Sequence, residues 1–198
     1  VAVLLPTPTG REIATHTTGG VGAGGVLLGG FWSDMTGTKS LFLQEWARLE
    51  GRAFLQFDYS GHGQSYGDFL DGAIGDWFED AQAALALTTG PQVLVGSSMG
   101  GWISLLLARE MPERIAGLVG IAAAPDFTED SMWAAFSEVQ RADLMAKGRI
   151  ALPSEYAVDP YLITRRRMDE GGTRGGFAAA LVLRFRFRLL WGSVGLGS

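Results

Sequence analysis

The chain has no cysteine and only two histidines in 198 residues. No disulfide can form, and no thiolate can hold a metal. His16 and His62 stand 46 positions apart, unlike the close ligand pairs of a zinc site. No metal and no cofactor are therefore expected. The lack of cysteine suits a cytoplasmic protein, and a cytoplasmic location is the expectation. Long apolar runs are missing as well. No run approaches the roughly 18 residues of a membrane span. The opening VAVLLPTPTG is apolar for only five residues before Pro6 and has no basic leader, so no signal peptide is read there. Positive charge is also scarce. The formal net charge of -5 argues against nucleic acid as a partner, because phosphate binding needs a basic surface.

What remains is a chain long enough for one domain with a substantial core. Its 47% hydrophobic and 19% charged residues are proportions of a globular protein. Short apolar strands alternate with helical patterns. GGVLLGG (24–30) reads as a strand and TKSLFLQEWARLEG (38–51) as a helix stopped at Gly51. RAFLQFDY (52–59) is a strand, and IGDWFEDAQAALALTTG (74–90) a helix with Asp76 in its first turn. QVLVGS, MGGWISLLLAREMPERI and AGLVGIAAA then give strand, helix and strand. This alternation, with wholly apolar strands, predicts a parallel sheet covered on both faces. VAVLLPTPTGREIATHTT predicts two strands that open the sheet antiparallel.

After Pro125 two segments, DFTEDSMWAAFSEVQRADLMAKGRI and DPYLITRRRMDEG, read as helices of an inserted cap over about 126–170. From Gly171 the composition shifts. All 21 acidic residues precede this point, whereas four of the 16 basic residues follow it. LRFRFRL (183–189) alternates strictly, as a strand with one cationic face would. The tail reads either as a final strand with a loose glycine-rich end or as an out-of-frame segment. The whole chain, 1–198, is read as one domain.

VLVGSSMGG (93–101) carries the chemistry. Gly96-Ser97-Ser98-Met99-Gly100 fits G-x-S-x-G, with a predicted strand before it and a helix after it. A nucleophile in that turn projects from the sheet edge, and the positive end of the helix favours a developing oxyanion. LLGGFWSDMTGTK (27–39) follows the strand expected beside the Ser98 strand. By position, the Phe31 N–H pairs with the Met99 N–H to form an oxyanion hole. The bland alternatives are a glycine-rich turn and a loop leading into a helix.

Four motifs in order, GGFWSDMTGTK, FDYSGHGQSYGDF, VGSSMGGW and AAAPDFTED, resemble an alpha/beta-hydrolase subfamily. That subfamily holds bacterial esterases and the mitochondrial acyl-protein thioesterase and acyl-glucuronide esterase. The resemblance spans about residues 1–170. It implies an alpha/beta-hydrolase fold, mostly parallel with helices on both faces and a helical cap insertion, its C-terminal strands truncated or altered. It further implies hydrolysis of a small acyl ester or thioester through an acyl-serine. Ser98 matches the family nucleophile, and Phe31 and Met99 match its oxyanion donors. Gly29 departs from the pattern, since many relatives carry a histidine there. The family also places an acid and then a histidine after the nucleophile. Here no acid follows Glu170 and no histidine follows His62.

His62, in SGHGQS, is either a substitute for the missing triad base or a turn histidine bonded to nearby backbone, and His16 reads as a hairpin residue. Asp126 is a candidate acid or a residue that shapes the mouth of the cap. Gly20-Val21-Gly22-Ala23-Gly24-Gly25 contains G-x-G-x-x-G, but a strand follows it where a dinucleotide site needs a helix. Trp133, Phe136 and Leu144 either line an acyl site or pack a core. Two functions follow. One is a serine hydrolase of carboxylic esters or thioesters. The other is a catalytically impaired hydrolase-fold remnant, or an acyl-binding module, without the triad Asp and His. An uncovered sheet edge would be met by the arginine-rich tail or by a second copy in a homodimer.

Overall fold

Strand and helix alternate from Val21 onward, and the alternation builds one mixed sheet. The computed structural model describes residues 2–152 and 161–175. Its strands β1 (Val3–Pro6), β2 (Glu12–Thr18), β3 (Val21–Leu28), β4 (Arg52–Phe57), β5 (Gln92–Ser97) and β6 (Ile115–Ile121) lie in the order β1-β2-β4-β3-β5-β6. β1 and β2 pair antiparallel, and β2 joins β4 antiparallel. β4, β3, β5 and β6 run parallel. Helices α1 (Thr38–Leu49), α2 (Ile74–Leu85) and α3 (Met99–Glu110) make the crossovers.

Side-chain alternation along β3 explains the two covered faces. Val26 and Leu28 enter the main core with Leu55, Trp77, Leu94 and Trp102. Leu27 points the other way and packs with Ala47 of α1 and Phe54. Period-two alternation thus serves both layers, and each large side chain removed from water contributes about 2 kcal/mol. α1 stops where Gly51 takes a left-handed φ of 61°, a conformation costly for any residue with a Cβ.

The glycine run before Leu27 has a packing explanation. A Cβ on Gly20 would meet the Arg52 carbonyl carbon at 2.1 Å, and one on Gly24 would meet Gln92 Oε1 at 2.3 Å. These residues lie in or beside β3, which shifts register against β4 between Val21 and Gly25. The run serves close strand approach.

Arg11, in the β1–β2 turn, fastens the hairpin to α2. Its Nε donates to Asp80 Oδ1 at 2.9 Å and its Nη2 to Glu79 Oε2 at 2.9 Å. The other oxygen of the fully buried Asp80 accepts from the Ser60 N–H and hydroxyl. The carboxylate is therefore satisfied on both sides.

Two expectations need correction. β6 is apolar but not buried on both faces; Val119 is 49% exposed. Among the described residues its one strand partner is β5. The cap is also not wholly helical. A π-helical turn, Phe127–Trp133, leads to α4 (Glu138–Lys147). Ser137 caps α4 by accepting from Gln140 N–H, while Gln140 Oε1 accepts from Ser137 N–H. Then β7 (Arg149–Leu152) pairs antiparallel with β8 (Tyr161–Thr164), and α5 (Arg165–Gly175) follows. Tyr-Leu-Ile-Thr favours extended backbone, and pairing with β7 buries Ile150 and Ile163 in a cap core with Phe136, Leu144 and Met168. α5 continues through Gly171, so the shift in composition there is not an element boundary. The rest of the tail, including the strand expected over 183–189, lies outside the described residues.

Candidate active site

Ser98 occupies the turn between β5 and α3, with φ 50° and ψ −117°. A non-glycine residue held there costs about 1–3 kcal/mol and persists only when its surroundings over-determine it. They do so here. The Ser98 N–H donates to Ile121 O at 3.0 Å, at the end of β6. The Ser98 carbonyl accepts from Gly101 N–H at 2.9 Å and from Ala124 N–H at 3.1 Å.

The flanking glycines let three backbones pass at close range. A Cβ on Gly96 would meet Gly100 O at 2.5 Å, and one on Gly100 would meet Leu28 O at 2.0 Å. A Cβ on Gly101 would meet the Ala123 Cβ at 2.4 Å. The G-x-S-x-G spacing is thus a steric requirement of this junction between β3, β5 and β6.

The loop after β3 reaches the same point. A Cβ on Gly30 would lie 3.4 Å from the Ser98 Cβ and 3.5 Å from Ser97 O. Phe31 is the next residue. The turn is closed by Ser33 N–H donating to Gly30 O at 3.1 Å, and Trp32 within it has φ 62°. Met99 is the first residue of α3, so its amide has no acceptor within the helix.

Asp58, at the end of β4, anchors this loop and was not singled out from sequence. Its Oδ1 accepts from Met35 N–H at 2.6 Å and its Oδ2 from Gln64 N–H at 2.8 Å. Burial pushes the carboxyl above its ordinary pKa, while the two amides pull it down. The fragment FDYSGHG was the available signal, since an acid directly after an apolar strand needs a buried donor.

Neither histidine hydrogen-bonds to Ser98 among the described residues. His62 Nδ1 donates to Ser60 O at 3.2 Å, an acceptor shared with Trp77 Nε1. Its ring packs edge-on against Tyr59, Phe69 and Trp77. Nε2 is buried with no partner among the described residues. Desolvation dominates and holds the imidazole at a pKa of about 4, with Arg167 also disfavouring its charge. His16, on β2, faces Gln44 of α1 at 3.4 Å. Asp126 has φ 55° and lies between β6 and the π-helical turn. Phe136 and Leu144 are buried in the cap core, and Trp133 lies under the Arg141 guanidinium at 5.2 Å.

A hydrolase family model, described as "Serine aminopeptidase, S33", matches residues 27–168. The solved structure of mouse alpha/beta hydrolase domain-containing protein 10 superposes with a TM-score of 0.79 and 30% identity, covering 88% of this chain and 70% of that one. The chain belongs to the alpha/beta-hydrolase family. A crystal structure from Agrobacterium vitis S4 gives a TM-score of 0.82 at 37% identity, over 90% of this chain and 72% of that one. The rat palmitoyl-protein thioesterase ABHD10, mitochondrial, is 35% identical over 158 residues, which is 79% of this chain and 53% of that protein. The chain spans about half the length of the mammalian relatives it matches.

These relatives overturn the expected cytoplasmic location, because all five are named as mitochondrial proteins. Absence of cysteine speaks to disulfide chemistry and carries no address. Among the described residues no helix is long and apolar enough to cross a membrane, and no cluster of histidine and carboxylate side chains is arranged to hold a metal ion.

Proposed function

We propose that this alpha/beta-hydrolase cleaves small carboxylic esters or thioesters through an acyl-serine at Ser98. The observation that carries the proposal is the strained Ser98 turn with Gly30 directly against it. Ser98 Oγ attacks the acyl carbonyl, and the Phe31 and Met99 amides receive the oxyanion. Backbone donors held in place before the reaction are what makes such a hole effective. The positive end of α3 acts in the same direction. The alcohol or thiol leaves carrying the proton lost by Ser98 Oγ, and water then releases the acid while one of its protons restores the Ser98 hydroxyl. Membership of the family and likeness to a named thioesterase support this substrate class. The net charge of -5 favours a small acyl substrate over nucleic acid.

The attacking hydroxyl needs a proton acceptor. Among the described residues His16 bonds to Gln44 and His62 to the Ser60 carbonyl, and neither bonds to Ser98, which favours a second reading, acyl binding by these residues without turnover. Hydrolysis of a short-chain p-nitrophenyl ester by wild type and Ser98→Ala separates the two. Loss of hydrolysis in Ser98→Ala supports the hydrolase. No hydrolysis by wild type, together with a rise in melting temperature on adding an acyl ligand, supports binding alone.

A further inference from the structure

Arg167 is a cap residue with an unusual position. It sits in α5, in the run Arg165-Arg166-Arg167, yet it is only 1% exposed. Its neighbours in the run behave as surface arginines, paired to carboxylates within a turn or across to α2. Arg167 has no carboxylate partner among the described residues. Carbonyls and rings compensate its charge. Nε donates to Gly72 O at 3.1 Å, Nη1 to Leu162 O at 3.2 Å, and Nη2 to Phe69 O. The guanidinium carbon stands 4.4 Å from the centre of the Phe69 ring, 5.1 Å from Phe31 and 5.3 Å from Trp77. Desolvation lowers its pKa to about 10, so it remains a cation at neutral pH.

A buried cation without an anion is costly, and an aliphatic side chain could fill the same space. Its placement matters because of what it touches. Phe31 is packed against both apolar clusters, the main core and the cap core. Its ring is held edge-on by Phe69 at 5.0 Å and Trp77 at 5.9 Å, and tilted against Phe127 at 5.7 Å. Arg167 therefore reaches from the cap onto the side chain whose backbone follows Gly30 beside Ser98.

We propose that Arg167 is a positioning residue: it clamps the Phe31 ring between cap and core and so sets where the Phe31 amide points. This rests on the reading of Phe31 as an oxyanion donor. The cation–π contacts and the three backbone acceptors demand a planar, multiply donating cation, which Lys supplies only in part. Cap docking and oxyanion geometry become one event.

The test compares wild type, Arg167→Met and Arg167→Lys by amide hydrogen exchange and by p-nitrophenyl ester kinetics. Arg167→Met should lose protection in residues 30–36 while the β5 and α3 amides keep theirs. Its kcat should fall about 10²-fold, the scale of a small misplacement of a catalytic group, with KM little changed. Arg167→Lys should recover part of both effects. Unchanged protection at 30–36 in Arg167→Met, or loss spread equally over β5 and α3 in both variants, would overturn the proposal. A fall confined to KM would overturn it too. The exchange readout needs no turnover, so it distinguishes failure of the clamp from failure of the hydrolase reading.

Discussion

Gly30 and Ser98 face each other so closely that a Cβ on the glycine would touch the Cβ of the serine, at 3.4 Å. That contact brings the loop after β3 to the turn after β5. That distance is ordinary van der Waals contact, while Ser33 Oγ, 3.2 Å from the same Cβ, must give by a few tenths of an ångström, so only a small side chain fits, in the space an acyl group would need. Gly30→Ala should fold, with the β5 and α3 amides as protected as in wild type, and should lose about 10²-fold in ester hydrolysis. Wild-type hydrolysis in a folded Gly30→Ala would show that acyl groups do not pass this contact.

The Ser98 turn stores strain, and the strain is separable from the hydroxyl. Ser98→Gly relieves a φ of 50° that only glycine adopts freely. It should raise stability by about 1 kcal/mol in urea unfolding, the low end of the cost of such a residue. Ser98→Ala keeps the Cβ and should gain nothing. Equal stability of the two variants would contradict the assignment of strain.

His62 gives the fold an acid limit. Its imidazole is depressed to about 4 by burial, against about 6.5 unfolded. The unfolded chain therefore binds the extra proton first, and stability falls as pH drops from about 6.5 to about 4. Above that window the neutral ring costs nothing. The full effect is about 3 kcal/mol. Asp58 works in the opposite direction, since its raised carboxyl favours the protonated fold. Urea midpoints between pH 7.5 and 4 should fall for wild type and fall less for His62→Phe. Parallel profiles would rule out His62 as the source.

The parallel strands and their helices were legible because each is an apolar run or a periodic segment bounded by glycine. The Ser98 turn was legible for the same reason: its glycines are fixed by three backbones meeting at one junction. β7 and β8 were not, since four-residue strands carry too little alternation to separate from the helices beside them. Nor could sequence show that Arg167, within a run of three arginines, is the one turned inward. Its burial depends on α5 docking beside Phe31 and Phe69, far away along the chain. The aromatic cage of His62 is non-local for the same reason. The half-exposed face of β6 depends on which elements cover it, and its apolar composition alone does not say.

The central claim is that Ser98 is a nucleophile. The measurement is intact-mass and peptide mapping after treatment with a fluorophosphonate, on wild type and Ser98→Ala. The account predicts one stable adduct on wild type, located at Ser98, and none on Ser98→Ala. An unlabelled wild type, or an adduct retained in Ser98→Ala, would contradict it.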